Sequence, residues 1–161
     1  MVKFAAEFST PQQLDIWHQT GKTDYASIQA VYAQIPVTAR VQPFIDNMAE
    51  AYQWADLLIG RAGALTVAEI AAAGIASLLV PFPAAVDDHQ WYNARYLEQA
   101  GAAKIIREAD LSPLKLATLI DTFLQDRSLI VTMAQTARNL ARPQAAQALA
   151  ALVVKKYINI N

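Results

Sequence analysis

The sequence has no cysteine among its 161 residues. A disulfide framework, a thiol nucleophile and a cysteine zinc site are therefore excluded. Its two histidines, His18 and His89, lie far apart in the chain, which argues against a His-rich metal site. There is no excess of either charge: thirteen Lys+Arg meet fourteen Asp+Glu, for a net charge of −1. Proteins that live on phosphate backbones carry a basic excess, so nucleic acid is not an expected partner. Nor is there an uninterrupted apolar run of the roughly 20 residues that span a bilayer. The longest apolar stretch, 70–86, is broken by Gly74, Ser77, Pro81 and Pro83 and reads as buried core. The opening MVKFAAEF has no long apolar region before a small-residue cleavage site, so no signal peptide is read and a cytoplasmic location is expected. What is abundant is alanine, 32 residues of it, within a hydrophobic fraction of 55%. Small side chains in this proportion suit helices packed closely on a buried sheet, in a chain of one domain's length.

Extended and helical patterns alternate along the first two thirds of the chain. Extended character is expected at 14–19 (LDIWHQ), 39–44, 57–60 (LLIG), 77–80 (SLLV) and 103–106. Helical pattern is expected at 24–34 with Asp24 as N-cap, at 47–54, at 66–73 ending on Gly74, and at 89–100 ending on Gly101. Ser112-Pro113 then opens a purely helical tail over about 112–157: one helix to 124, one over 127–141 and one over 143–157. This order predicts an α/β fold, a doubly wound parallel sheet with helices on both faces. Ligands of such sheets lie at the carboxyl ends of the strands.

Three segments at those ends carry possible chemistry. In 57–69 (LLIGRAGALTVAE) a buried strand feeds a small-residue turn and then a helix N-terminus, whose free N–H groups and dipole favour an anion such as phosphate. Gly63 and Ala64 allow close approach, Thr66 can add a hydroxyl, and Glu69, one turn on, can accept two hydrogen bonds from a ribose diol. The same Thr66-x-x-Glu69 also reads as a capping box, and the local pattern favours neither reading. In 81–93 (PFPAAVDDHQWYN), His89, Gln90 and Asn93 can hydrogen-bond a sugar, while Asp87 and Asp88 read equally as caps. In 42–48 (QPFIDNM), backbone groups past a strand can read the edge of a planar base between Ile45 and Met48, although a cap at Asp46 explains the pattern as well. No Gly-x-Ser-x-Gly elbow, Walker loop or dinucleotide fingerprint occurs, and Trp17, Trp54 and Trp91 read as packing residues.

Taken in order, IWHQTGK (16–22), FIDNMAEAYQWADLLIGRAGALTVAEIAAAG (44–74), VPFPAAVDDHQWYNA (80–94) and AGAAKII (100–106) resemble the C-terminal half of the MurG family of peptidoglycan N-acetylglucosaminyltransferases. The resemblance implies the donor domain of a two-domain GT-B enzyme, which transfers N-acetylglucosamine from its UDP conjugate to lipid I, with inversion, to make lipid II. It implies that the Ile45 backbone pairs with uracil beside Met48. It also implies that 64–66 (Ala64, Leu65, Thr66) contact the diphosphate, with Gly63 beside them in the donor site, that Glu69 contacts the ribose, and that Gln90 contacts the sugar. His89 stands where relatives carry another Gln. The resemblance implies no cofactor and no metal. It places the lipid I acceptor on an N-terminal domain absent from this sequence, and implies peripheral association of the full enzyme with the inner face of the cytoplasmic membrane. The donor domain's first strand and Gly-rich loop are expected to be absent as well, and no general base is assigned. The isolated chain is then expected to be inactive and weakly stable. Two other expectations compete: a donor subunit of a two-chain UDP-N-acetylglucosamine transferase, and an inactive partial product. FID and ALT-x-x-E favour the bacterial lineage.

Overall fold

The computed structural model describes residues 14–157, which form five parallel strands and seven α-helices. In chain order these are β1 (Asp15–Gln19), α1 (Tyr25–Tyr32), β2 (Thr38–Gln42), α2 (Met48–Trp54), β3 (Leu57–Gly60), α3 (Ala64–Ala73), β4 (Ala76–Leu79), α4 (His89–Ala100), β5 (Ala103–Ile105), α5 (Pro113–Gln125), α6 (Arg127–Asn139) and α7 (Ala145–Tyr157). Short 3-10 turns lie at Val86–Asp88 and Glu108–Asp110.

All ladders are parallel. Asp15 pairs with Thr38, Leu57 with Ala76, and Ser77 with Ala103. The period of two sends alternate β4 residues to opposite faces. Leu78 packs with Ile106 and with Leu116, Ala117 and Ile120 of α5, while Leu79 packs with Val67 and Ile70 of α3 and Ala94 and Leu97 of α4. Helices thus cover both faces, as the alternating pattern predicts.

The strands form two ladders, β1-β2 and β3-β4-β5. In a six-stranded doubly wound sheet the order is 3-2-1-4-5-6. These five strands fall into that order with the place between β1 and β3 not filled by any described residue. Ile16 of β1, with Leu14 just before it, and Leu57 and Ile59 of β3 meet on the same α5 cluster, so apolar packing joins what hydrogen bonds do not. The effect on burial is direct. Every residue of β4, which has two neighbours, is buried, whereas every residue of β3, which has one, is half-buried.

Several boundaries differ from expectation. The second strand ends at Gln42, since Pro43 has no N–H to continue a ladder. The fourth spans Ala76–Leu79, starting one residue earlier than expected. Asp24 precedes α1 but its side chain makes no cap bond. Asn47, not Asp46, caps α2, accepting from the Glu50 N–H. The third helix starts at Ala64 with Gly63 as N-cap, two residues before the expected start. Asp88 precedes α4 without a side-chain cap bond, and both Asp87 (φ 51°) and Asp88 (φ 55°) are left-handed. Ser112 caps α5 as expected, by accepting from the Lys115 N–H. Gly74 (φ 67°) and Gly101 (φ 84°) end α3 and α4 in the left-handed conformation that glycine adopts without strain.

Two stability predictions follow from this core. Leu78 is fully buried, so Leu78→Ala should lower the unfolding free energy by about 2–5 kcal/mol in denaturant titration. The neighbouring Ser77 hydroxyl is buried with no hydrogen-bond partner among the described residues, so Ser77→Ala should be neutral or stabilising in the same assay. Burial also depresses the pKa of His18, whose Nδ1 lies 3.2 Å from the Tyr32 hydroxyl. A depressed imidazole is protonated more readily when unfolded, so stability is full above the ordinary His pKa of 6.5 and falls as pH drops below it. Denaturant midpoints at pH 7.5 and pH 5 should show this loss, and His18→Gln should reduce it.

Candidate functional site

The site is built from the small residues that follow β3. Ala62 is fully buried, Gly63 takes an extended conformation (φ −61°, ψ 150°), and α3 starts at once. The Val67 N–H makes the first intrahelical bond, to the Gly63 carbonyl at 3.0 Å. The amides of Ala64, Leu65 and Thr66 therefore lie in the unpaired first turn, at the positive end of the helix dipole. Leu65 is 73% exposed there, and no acidic side chain stands in the first turn. A side chain at Gly63 would meet only Thr66 Oγ1, at 3.7 Å, so the protein itself does not crowd this turn.

The capping-box reading of Thr66 and Glu69 fails because the helix starts too early. Thr66 is already inside α3, and Glu69 is in its second turn. The Glu69 carboxylate instead accepts a hydrogen bond of 2.8 Å from the Tyr52 hydroxyl of α2. Burial first, and then the bond to Glu69 and its charge, raise the Tyr52 pKa well above the ordinary phenol value of 10. Tyr52 lies four residues after Met48, on the same face of α2. The Tyr52–Glu69 bond thereby joins the Ile45–Met48 segment to the Thr66–Glu69 face. Ile45 is buried, and its N–H donates to Gln19 Oε1 at 2.9 Å. A base that reads this amide must take the place of the Gln19 carboxamide.

The third segment is also held against α3. Gln90 Oε1 accepts from the N–H groups of Ala62 (3.2 Å) and Phe82 (3.0 Å), and Asn93 Nδ2 donates to the Ala62 carbonyl at 3.1 Å. His89 is exposed at the start of α4. Ile45, Met48, Gly63, Ala64, Leu65, Thr66, Glu69, His89 and Gln90 thus lie on segments following β2, β3 and β4 at one edge of the sheet. Sequence reasoning missed Tyr52, Gln19 and Arg61 as supports of this edge. The spacing of Met48 and Tyr52 on one helix face was the available signal for Tyr52. Two concavities of about 360 and 220 Å³ lie elsewhere, at 141–148 and between α1 and β2. The edge itself is open. Trp17 and Trp54 stack edge to face at 5.7 Å, as packing residues do.

A model of the glycosyltransferase family 28 C-terminal domain matches residues 2–149. The chain belongs to that family. It is 48% identical over 157 residues to a UDP-N-acetylglucosamine–N-acetylmuramyl-(pentapeptide) pyrophosphoryl-undecaprenol N-acetylglucosamine transferase of Coxiella burnetii, covering 98% of this chain and 44% of the relative. A Cellvibrio japonicus protein of the same name is 49% identical over 150 residues, covering 93% and 41%. Among solved structures, Acinetobacter baumannii MurG superimposes with a TM-score of 0.88 at 44% identity, over 96% of this chain and 44% of that one. The glycosyltransferase VinC in complex with dTDP superimposes with a TM-score of 0.69 at 16% identity, over 96% and 37%, a likeness of fold alone. The family 28 chain described here therefore spans less than half the length of the relatives it matches, and it corresponds to the C-terminal half of MurG.

The raised Tyr52 pKa gives a direct check of the Tyr52–Glu69 bond. Tyr32, buried in the core, is likewise pushed up to about 12. In an absorbance titration of tyrosinate up to about pH 11, Tyr52→Phe should leave the curve unchanged, because Tyr52 does not ionise there. Loss of one titrating tyrosine near pH 10 would place the Tyr52 phenol in solvent instead.

Proposed function

We propose that the chain binds UDP-N-acetylglucosamine and is the donor half of the transferase that adds N-acetylglucosamine to lipid-linked N-acetylmuramyl-pentapeptide in peptidoglycan synthesis. The observation that carries this reading is the open first turn of α3, with Glu69 oriented by Tyr52 one turn beyond it. In this reading the diphosphate lies on the amides of Ala64, Leu65 and Thr66, where fixed N–H dipoles stabilise the charge that grows on departing UDP. The ribose diol donates to the Glu69 carboxylate. Uracil exchanges with the Gln19 carboxamide at the Ile45 backbone, with Met48 beside it. The sugar lies toward Gln90 and His89.

The lipid I hydroxyl attacks the anomeric carbon, UDP leaves, and the base that takes the hydroxyl proton belongs to the other half of the enzyme. No metal or cofactor enters the scheme. Among the described residues no helix is long and apolar enough to cross a membrane. The proposed enzyme works on the cytoplasmic face of the inner membrane as a peripheral protein and meets its lipid acceptor there.

The test is calorimetric titration of UDP-N-acetylglucosamine. Glu69→Ala removes the acceptor of two charge-assisted hydrogen bonds, so donor affinity should fall by about 2–4 kcal/mol, or roughly thirty- to a thousand-fold. Affinity within a factor of two of the unmodified chain would remove Glu69 from the site. Circular dichroism of both forms controls for folding.

A further inference from the structure

The outer edges of the two ladders are unlike. β5 is three residues long and carries Lys104 at its centre, and a lysine on an edge strand discourages pairing with another chain. β2 is five residues long, and among the described residues it pairs only with β1. It has no lysine, and proline stands only beyond its ends, as Pro36 and Pro43. Its register with β1 runs unbroken from Asp15 and Thr38 to Gln19 and Gln42. The Thr20 N–H donates to the Gln42 carbonyl at 3.0 Å, so Gln42 points at β1, and the period of two turns Arg40 and Thr38 the same way. The N–H and C=O groups of Ala39 and Val41 therefore point outward, where no other described strand takes them. Beside this edge lies the concavity of about 220 Å³, lined by Gln29, Tyr32 and Ala33 of α1 and by Val37, Ala39 and Val41. An apolar cavity of roughly 150 Å³ accommodates benzene, so this groove has room for a large apolar side chain. Arg40 lies on the opposite face, its guanidinium 4.3 Å from the Trp17 ring centroid. Its ion pair with Glu50 is long, 3.8 Å, and both side chains are more than half exposed. The guanidinium is thus held in place without being neutralised.

We infer that the outer edge of β2 is a strand-addition site for an extended segment of a partner protein, one with an acidic residue between two apolar ones. Residues opposite each other in a ladder share a face. A residue opposite Arg40 therefore meets the guanidinium, which attracts an acidic side chain. Its two neighbours point the other way, into the groove beside Ala39 and Val41. The outward groups of Ala39 and Val41 supply the main-chain hydrogen bonds, and the alternate side chains supply the selection. A second copy of this chain fits less well. Twofold pairing centred on this edge sets Arg40 opposite Arg40, and like charges across a ladder repel. The edge shares no residue with the proposed donor site.

Amide hydrogen exchange and peptide titration on the full chain test this, with the peptide acetyl-Thr-Val-Glu-Val-Thr-amide as probe. At millimolar peptide, exchange at Ala39 and Val41 should slow at least about tenfold, with the β4 amides as a control for global stability. Replacing the peptide's Glu by Lys should weaken binding by about two- to thirtyfold, through the attraction lost and the repulsion gained. Arg40→Glu should reverse that order, so that the Lys peptide binds better. Methylating the three central peptide nitrogens should abolish binding, because it removes the ladder's donors while the protein and every side chain stay the same. Unchanged exchange at Ala39 and Val41, equal affinity for the Glu and Lys peptides, or undiminished binding of the methylated peptide would overturn the strand-addition site. Protection of Ala39 and Val41 that grows with protein concentration, without peptide, would make a second copy the occupant and overturn the partner segment.

Discussion

The site depends on where α3 begins and how firmly it is held. Its body is anchored by Val67 and Ile70 in the cluster with Leu79 and Leu97. Its far end is closed by Gly74 and by the Arg138 guanidinium of α6 on the Ala72 carbonyl. Gly74 is required there twice over, by its positive φ and because a side chain would press on Arg138. With its body and far end fixed, and the Ala62 N–H and carbonyl bound by Gln90 and Asn93 just ahead of it, the three unpaired amides at the start of α3 keep one direction relative to the sheet. Preorganised donors of this kind pay no reorganisation cost when charge develops on a leaving group.

Much of this was legible in the sequence because it rests on local rules. Alternating apolar segments gave the strands, and Gly74, Gly101 and Ser112-Pro113 marked helix ends that the structure reproduces. The small residues between the LLIG strand and the next helix marked the turn that the structure places at 61–63, ahead of α3. The start of α3 was misjudged because Thr66 is the better capping residue by type, yet Gly63 can take the extended cap conformation and tertiary contacts then start the helix sooner. Asp46 and Asn47 show the same ambiguity: both can cap, and only the three-dimensional path of the chain selects Asn47. Contacts distant in sequence were not legible. The Tyr52–Glu69 and Gln90–Ala62 bonds join residues with no pattern between them, and the capture of the Ile45 amide by Gln19 follows from strand pairing.

The two ladders give the fold an uneven mechanical character. The β3-β4-β5 ladder carries α3 and α4 and is buried at β4 on both faces. The β1-β2 ladder, which presents Gln19 and leads into Ile45, is joined to it through side chains on α5 and through the contact of Trp17 with Trp54. The turn after β3 and Gln90 of α4 therefore belong with one ladder, while the edge proposed to read the base belongs to the other. Tyr52, on the helix between β2 and β3, is the polar bond that couples them. This division gives the proposed donor site a diphosphate cradle on one ladder and a base pocket on the other, their separation set by side-chain packing and by the Tyr52–Glu69 bond.

Whether the first turn of α3 receives the diphosphate of a sugar nucleotide can be read from the backbone amide resonances of the chain during titration with UDP-N-acetylglucosamine. The largest shifts should fall on Ala64, Leu65 and Thr66, with smaller ones at Ile45 and at the Gln90 side-chain amide. Shifts confined to the concavity between α1 and β2, or to the 141–148 surface, with residues 64–66 unmoved, would contradict diphosphate binding there.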